Sequence, residues 1–189
     1  MKLFSASLLA LAFTANTAFA AGTAPATPAA PAAPTTVPTQ MHCKVGEVVK
    51  SVKKKGKVMK TCVKATAGII PDNELYAQGY LLAKTGEYDW ALSAFNAMTN
   101  KQTPETLTMI GYSNRKAGRL EIAVSYYDQA LAMQPDYVKA REYLGEGYVA
   151  AGRVDLAKLQ LAEIAKSAGT TSEEYIDLSK AISGGAVNL

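Results

Sequence analysis

Histidine occurs once in this sequence, at position 42, so chemistry that needs converging imidazoles has little to work with. No pair of histidines stands at i and i+4 to hold a catalytic metal, and no Ser-His-Asp or Cys-His set can be assembled beyond that position. There is no G-x-S-x-G elbow and no glycine loop of the phosphate-cradling kind. Carboxylates are plentiful and could in principle pair as in a hydrolase. However, Glu87, Glu121, Asp128 and Asp155 fall on what read as solvated helix surfaces, where charged side chains ordinarily stay. No enzymatic activity, no cofactor and no metal are expected.

Long apolar runs are also missing. The longest, Leu3 to Phe13, is broken by Thr14 and Asn16 and falls short of the roughly 18 to 20 apolar residues that span a bilayer. With Lys2 before it and the small-x-small sequence Ala18-Phe19-Ala20 after it, residues 1–20 read as a signal peptide cleaved after Ala20. No cysteine follows that cut to carry a lipid. The chain is therefore expected to be periplasmic or secreted and not membrane-spanning. Residues 21–40 are nearly all Ala, Pro, Thr and Gly, which cannot bury a core and predict a disordered linker.

Acids are almost absent from the next segment. Between Met41 and Thr66 eight lysines face one acid, Glu47, whereas from Ala67 onward eleven basic residues face fifteen acids. A small basic module over 41–68 thus precedes a mildly acidic domain over 69–189. The only cysteines, Cys43 and Cys62, both lie in the basic module. In an exported protein such a pair reads first as a disulfide, which a module this small needs. Met41, His42, Cys43 and Met59 offer the alternative of a soft-ligand copper site. Val48, Val49 and Val52 on one side of Gly56, with Val58, Met59 and Val63 on the other, predict a two-stranded hairpin. Its exposed comb is Lys50, Lys53, Lys54, Lys55, Lys57 and Lys60. That comb could meet anionic lipid or cell-wall polymer, with the rest of the chain as a spacer or oligomerisation face. It could equally be a solvated edge that resists aggregation. Nucleic acid is not expected as a partner of an exported chain.

From Asp72, read as an N-cap, the hydrophobic period becomes helical. Gly79, Gly86 and Ala91 are matched by Gly111, Gly118 and Ala123 and again by Gly145, Gly152 and Ala157, at steps of 32 and 34 residues. One helix-pair unit is written three times. Thr103-Pro104-Glu105 supplies a cap and a first-turn proline for the second unit, and Pro135 ends it. Thr171-Ser172-Glu173-Glu174 begins one more helix by a capping box, with Tyr175, Leu178 and Ile182 at helical spacing, predicting a capping helix over 172–183.

These residues resemble the tetratricopeptide repeat (TPR) family over about Asp72 to Gly169. The second unit matches best, with L-x-x-I-G, Gly118, Ala123, Tyr127, Ala130-Leu131 and Pro135. Met98 and Ile164 depart from it where a small residue is usual, as does Asn114 where an aromatic is usual. The resemblance implies an all-α, three-unit TPR-like helical solenoid with a C-terminal capping helix, preceded by the Cys-closed hairpin and the Ala/Pro linker. It also implies a concave groove that holds a protein or peptide partner. The implied groove positions are Tyr76, Tyr80 and Lys84, then Thr108, Tyr112, Arg115 and Lys116, then Glu142, Tyr143 and Glu146. Several of these tyrosines could instead pack between helices. Tyr76 and Tyr80 stand where some relatives carry the Lys and Asn of a carboxylate clamp, so no such clamp is expected. Trp90 reads as a docking point for the hairpin or a partner, or as a ring lying over its own helix pair.

Overall fold

Segments rich in valine and lysine form two antiparallel strands, β1 (Glu47–Lys54) and β2 (Lys57–Lys64), in register from Glu47 opposite Lys64 to Lys54 opposite Lys57. Lys55 and Gly56 join them with φ of 48° and 77°, the two positive values that a twist-matched two-residue turn requires. Cys43 and Cys62 are bonded, with Cα atoms 5.5 Å apart. The computed structural model describes Met41 and residues 43–184. The expected signal peptide and linker, His42, and the residues after Gly184 lie outside the described residues.

Among the described residues seven helices follow: α1 (Asp72–Lys84), α2 (Tyr88–Asn96), α3 (Pro104–Lys116), α4 (Leu120–Met133), α5 (Val138–Ala150), α6 (Val154–Ala168) and α7 (Glu173–Ile182). They pair as α1 with α2, α3 with α4 and α5 with α6, and α7 packs on both α5 and α6. Each pair turns at the glycine the repeat predicts. Gly86, Gly118 and Gly152 have φ of 89°, 80° and 72°, where a side chain would be strained. The following amide reaches back to close the helix end in the same way each time, Glu87 to the Leu82 carbonyl, Arg119 to Asn114 and Arg153 to Tyr148.

The first glycine of the register serves contact rather than turning. A Cβ on Gly79 would lie 2.5 Å from the Phe95 ring, and one on Gly111 would lie 2.6 Å from the Tyr127 ring. In these two units the first helix thus approaches an aromatic of the second at a distance that excludes even a methyl. In the third unit the residue against Gly145 is Leu178, brought by α7. The capping helix therefore fills the last unit as well as covering it. Met98 and Ile164, both larger than the usual residue, are accommodated within the core. Asn114 is buried and satisfied, donating to the Ile110 carbonyl and accepting from Arg119 Nε.

Two caps differ from expectation. Pro71, not Asp72, is the N-cap of α1. The Asp72 carboxylate instead accepts the amides of Thr99 and Asn100, both at 2.8 Å, holding the loop that leaves α2. At α7 the cap is Ser172, whose hydroxyl accepts the Tyr175 amide, so Glu174 is released from a capping box for another role.

Candidate functional site

The repeat register aligns α1, α3 and α5, so residues at equal offsets from Gly79, Gly111 and Gly145 form rows. Three residues before each glycine stand Tyr76, Thr108 and Glu142; one residue after stand Tyr80, Tyr112 and Glu146. Tyr76 stacks on Tyr80 at 6.3 Å and tilts against Phe95 at 5.9 Å. Tyr112 meets Tyr143 at 5.0 Å and Tyr88 at 6.5 Å. Tyrosine supplies apolar area with a polar tip, and these rings form two groups, one on the first unit and one that runs from Tyr88 through Tyr112 to Tyr143.

Cations surround the Tyr112 and Tyr143 rings. Lys84 Nζ is 5.1 Å from the Tyr112 centroid and 6.0 Å from that of Tyr143, Lys116 Nζ is 5.9 Å from Tyr112, and the Arg115 guanidinium is 5.7 Å from both rings. Such placements fall within the range of cation–π attraction. Arg115 is buried and bonds Glu146 Oε2 at 2.7 Å, so its charge is committed inside the protein. Although burial opposes it, the Arg115 pKa is raised by Tyr127 and Glu146. Burial and neighbouring Arg115 lower that of Lys116.

Of the expected groove residues, Thr108, Arg115 and Glu142 are buried, Tyr76, Tyr80, Tyr112, Lys116, Tyr143 and Glu146 are half-buried, and Lys84 is exposed. Burial pushes up the phenols of Tyr76, Tyr112 and Tyr143. It also pushes the Glu142 carboxyl up to about 7, against the opposing pull of Lys139. Thr108 Oγ1 and Arg115 Nε have no hydrogen-bond partner among the described residues.

The sequence reading overlooked Lys139. Its ammonium lies 2.8 Å from Glu142 and 3.1 Å from Glu174, and 5.8 Å from the Tyr143 ring. Its register position, six residues before Gly145, is the only signal that places it near the groove. Glu174 comes from α7, so the cap contributes to this surface as well. A cavity of about 310 Å³ also opens beside the groove, lined by Arg115, Lys116, Gly118, Leu120, Gly147, Ala150 and Ala151. The sequence alone did not point to that space; the small residues Gly147, Ala150 and Ala151 are the signal that marks it.

The hairpin root docks on the first unit. Trp90 Nε1 donates to the Cys43 carbonyl at 2.6 Å, and the Gly46 amide donates to Ser93 Oγ at 2.9 Å. The Gln78 side chain both accepts from the Val49 amide and donates to the Val49 carbonyl, supplying the edge of β1 with the partners that another strand would give. Ligand atoms of Cys43, Glu47 and Cys62 lie within 4.8 Å of one another, but the disulfide consumes both thiols and leaves no thiolate for a soft metal. Of the lysine comb, Lys50 is half-buried, while Lys53, Lys54, Lys55, Lys57 and Lys60 are exposed.

Residues 108–172 match the family model described as Tetratricopeptide repeat. The match runs from within α3 to the Ser172 cap, taking in the second and third units and stopping short of α7. Repeats of this kind are typically non-catalytic scaffolds that mediate contacts between proteins. No curated protein matches the chain. Among the described residues no helix is long and apolar enough to cross a membrane.

Proposed function

We propose that this chain is a non-enzymatic adaptor of the cell envelope, which binds a peptide or partner segment along the concave face made by α1, α3 and α5. The observation that carries this reading is the set of tyrosines on the first helices of the three units, Tyr76 against Tyr80 and Tyr112 against Tyr143, the second pair bordered by Lys84 and Lys116. Aromatic anchors with polar tips are a common means of holding a partner at low entropic cost. Because Arg115 is already paired with Glu146, the groove suits an internal segment better than a chain terminus presenting a carboxylate. The first unit, outside the matched region, has the same turn and the same glycine-to-aromatic contact, which supports assigning it to the same repeat.

Crosslinked pull-down from a native envelope fraction tests the reading. Tyr80→Ala with Lys84→Ala should lose the partner while the circular dichroism spectrum is kept; equal recovery by the variant and the original chain would overturn it. The export proposal rests on residues 1–20. Fractionation should place the protein outside the cytoplasm with Ala21 as its first residue, and a cytoplasmic chain that keeps Met1 would overturn it.

A further inference from the structure

We propose that the free end of the β-hairpin is a docking element for an anionic lipid surface. Every residue from Ser51 to Thr61 is exposed, so this half of the hairpin stands clear of the repeats. It presents Lys53, Lys54, Lys55 and Lys57 around the turn and contains no acid. The nearest acid in sequence, Glu47, lies at the root, where its carboxylate accepts the Lys44 amide. Among the described residues none of these lysines is ion-paired.

Three apolar side chains lie between those charges. Residues directly opposite in an antiparallel pair share a face. The Val48–Val63 pair is packed against the first unit. On that same face, beyond Lys50 and Thr61, the Val52–Met59 pair is left in water, 43% and 57% exposed. Val58, on the other face opposite Lys53, is 65% exposed. Apolar groups on both faces of a tip rule out simple sideways packing and favour end-on entry.

A purely polyanionic partner would reward the lysines but gain nothing from burying valine and methionine. A solvated edge would be better served by polar residues at all three positions. An anionic bilayer surface rewards both, since its headgroup region attracts lysine while its acyl boundary removes the apolar tip from water. Lysine stems can extend so that the charge stays at headgroup level while the tip descends. The root's hydrogen bonds to Trp90, Ser93 and Gln78 fix the direction in which the tip points.

Co-sedimentation of the purified protein with vesicles of phosphatidylglycerol mixed into phosphatidylcholine tests this, beside vesicles of phosphatidylcholine alone. Binding should need the anionic lipid. It should weaken on the order of a hundredfold in the Lys53→Glu, Lys54→Glu, Lys57→Glu variant. It should also weaken several-fold in Val52→Ser with Met59→Ser, both exposed positions, while the circular dichroism spectrum is kept. No pelleting at low salt overturns the proposal, as does pelleting that none of these substitutions alters. Lipid binding that ignores the Val52 and Met59 changes, yet is abolished by soluble polyphosphate, overturns it in favour of an anionic polymer. Each substitution lies outside the groove, so partner recovery by the repeats is scored separately.

Discussion

Trp90 donates its indole N–H to the carbonyl of Cys43, one end of the only disulfide among the described residues, at 2.6 Å. This bond makes the hairpin part of the solenoid. A stack of repeats leaves an uncovered apolar face at each end. Here α7 covers the last unit, and the hairpin covers the first by placing Val48, 3% exposed, in one core with Ile70, Leu75 and Phe95. A two-stranded hairpin is marginal alone in water. The disulfide constrains this one from within, and the Trp90, Ser93 and Gln78 bonds hold it from outside.

Reduction of that disulfide is therefore expected to loosen the N-terminal cap rather than only the basic module. The cysteines are 19 residues apart, and the loop-entropy account puts such a bond at about 3 kcal/mol. A lower melting temperature and a red-shifted Trp90 emission should appear together on adding reductant. Trp90→Phe should cost about 1 kcal/mol through loss of the hydrogen bond. If reduction leaves both melting and emission unchanged, the hairpin is not serving as a cap.

Gly111→Ala reverses an ordinary rule. In a helix interior that change normally stabilises by about 1 kcal/mol. Here the new Cβ would lie 2.6 Å from the buried Tyr127 ring, so overpacking of about 1–3 kcal/mol should dominate. Gly79→Ala, 2.5 Å from Phe95, should behave alike. Chemical denaturation of both variants decides this, and stabilisation by either would contradict the close helix approach.

Much of this architecture was legible because repetition multiplies a weak signal. One Gly-to-Ala spacing means little, but three in register located Gly86, Gly118 and Gly152 at the turns and Gly79 and Gly111 at the contacts. The sequence also pointed to a disulfide, and to Thr103 and Pro104 opening α3. What escaped were relations between residues distant in sequence with no periodic mark. Gln78 serving the edge of β1, Asp72 capping a loop 27 residues on, and Leu178 replacing an aromatic against Gly145 are each single events. In the groove, register found the rows but not their depth. Arg115 is buried against the Tyr112 and Tyr143 rings and Glu142 beneath Lys139, a matter of packing that residue type does not declare.

Leu178→Ala should be among the most damaging single truncations in the chain. The side chain is fully buried and occupies the space over Gly145, so its loss leaves a cavity between α5 and α7. A cost of about 2–5 kcal/mol is expected. Hydrogen exchange should show α5 and α6 losing protection before α1 and α2, because α7 packs only on that end. Uniform loss along the chain would argue against a local capping role.

Glu142 sets the expected pH dependence. Burial raises its pKa from 4.5 to about 7, with Glu146 and Glu174 adding to the rise and Lys139 opposing it. Folding thus favours the protonated carboxyl, and the folded state holds more protons than the unfolded one between those values. Stability must then fall as pH climbs through that window, by on the order of 3 kcal/mol at most. Lys139 stays charged throughout, since Glu142 and Glu174 raise its pKa despite burial. Glu142→Gln keeps the shape and removes the titration. It should match the original chain near pH 4 and exceed it by about 1–3 kcal/mol near pH 8, as neutral replacements of buried charges often do. Urea midpoints measured across that range decide the matter: a difference that does not grow with pH would show that the Glu142 carboxylate is not paying a burial cost in this groove.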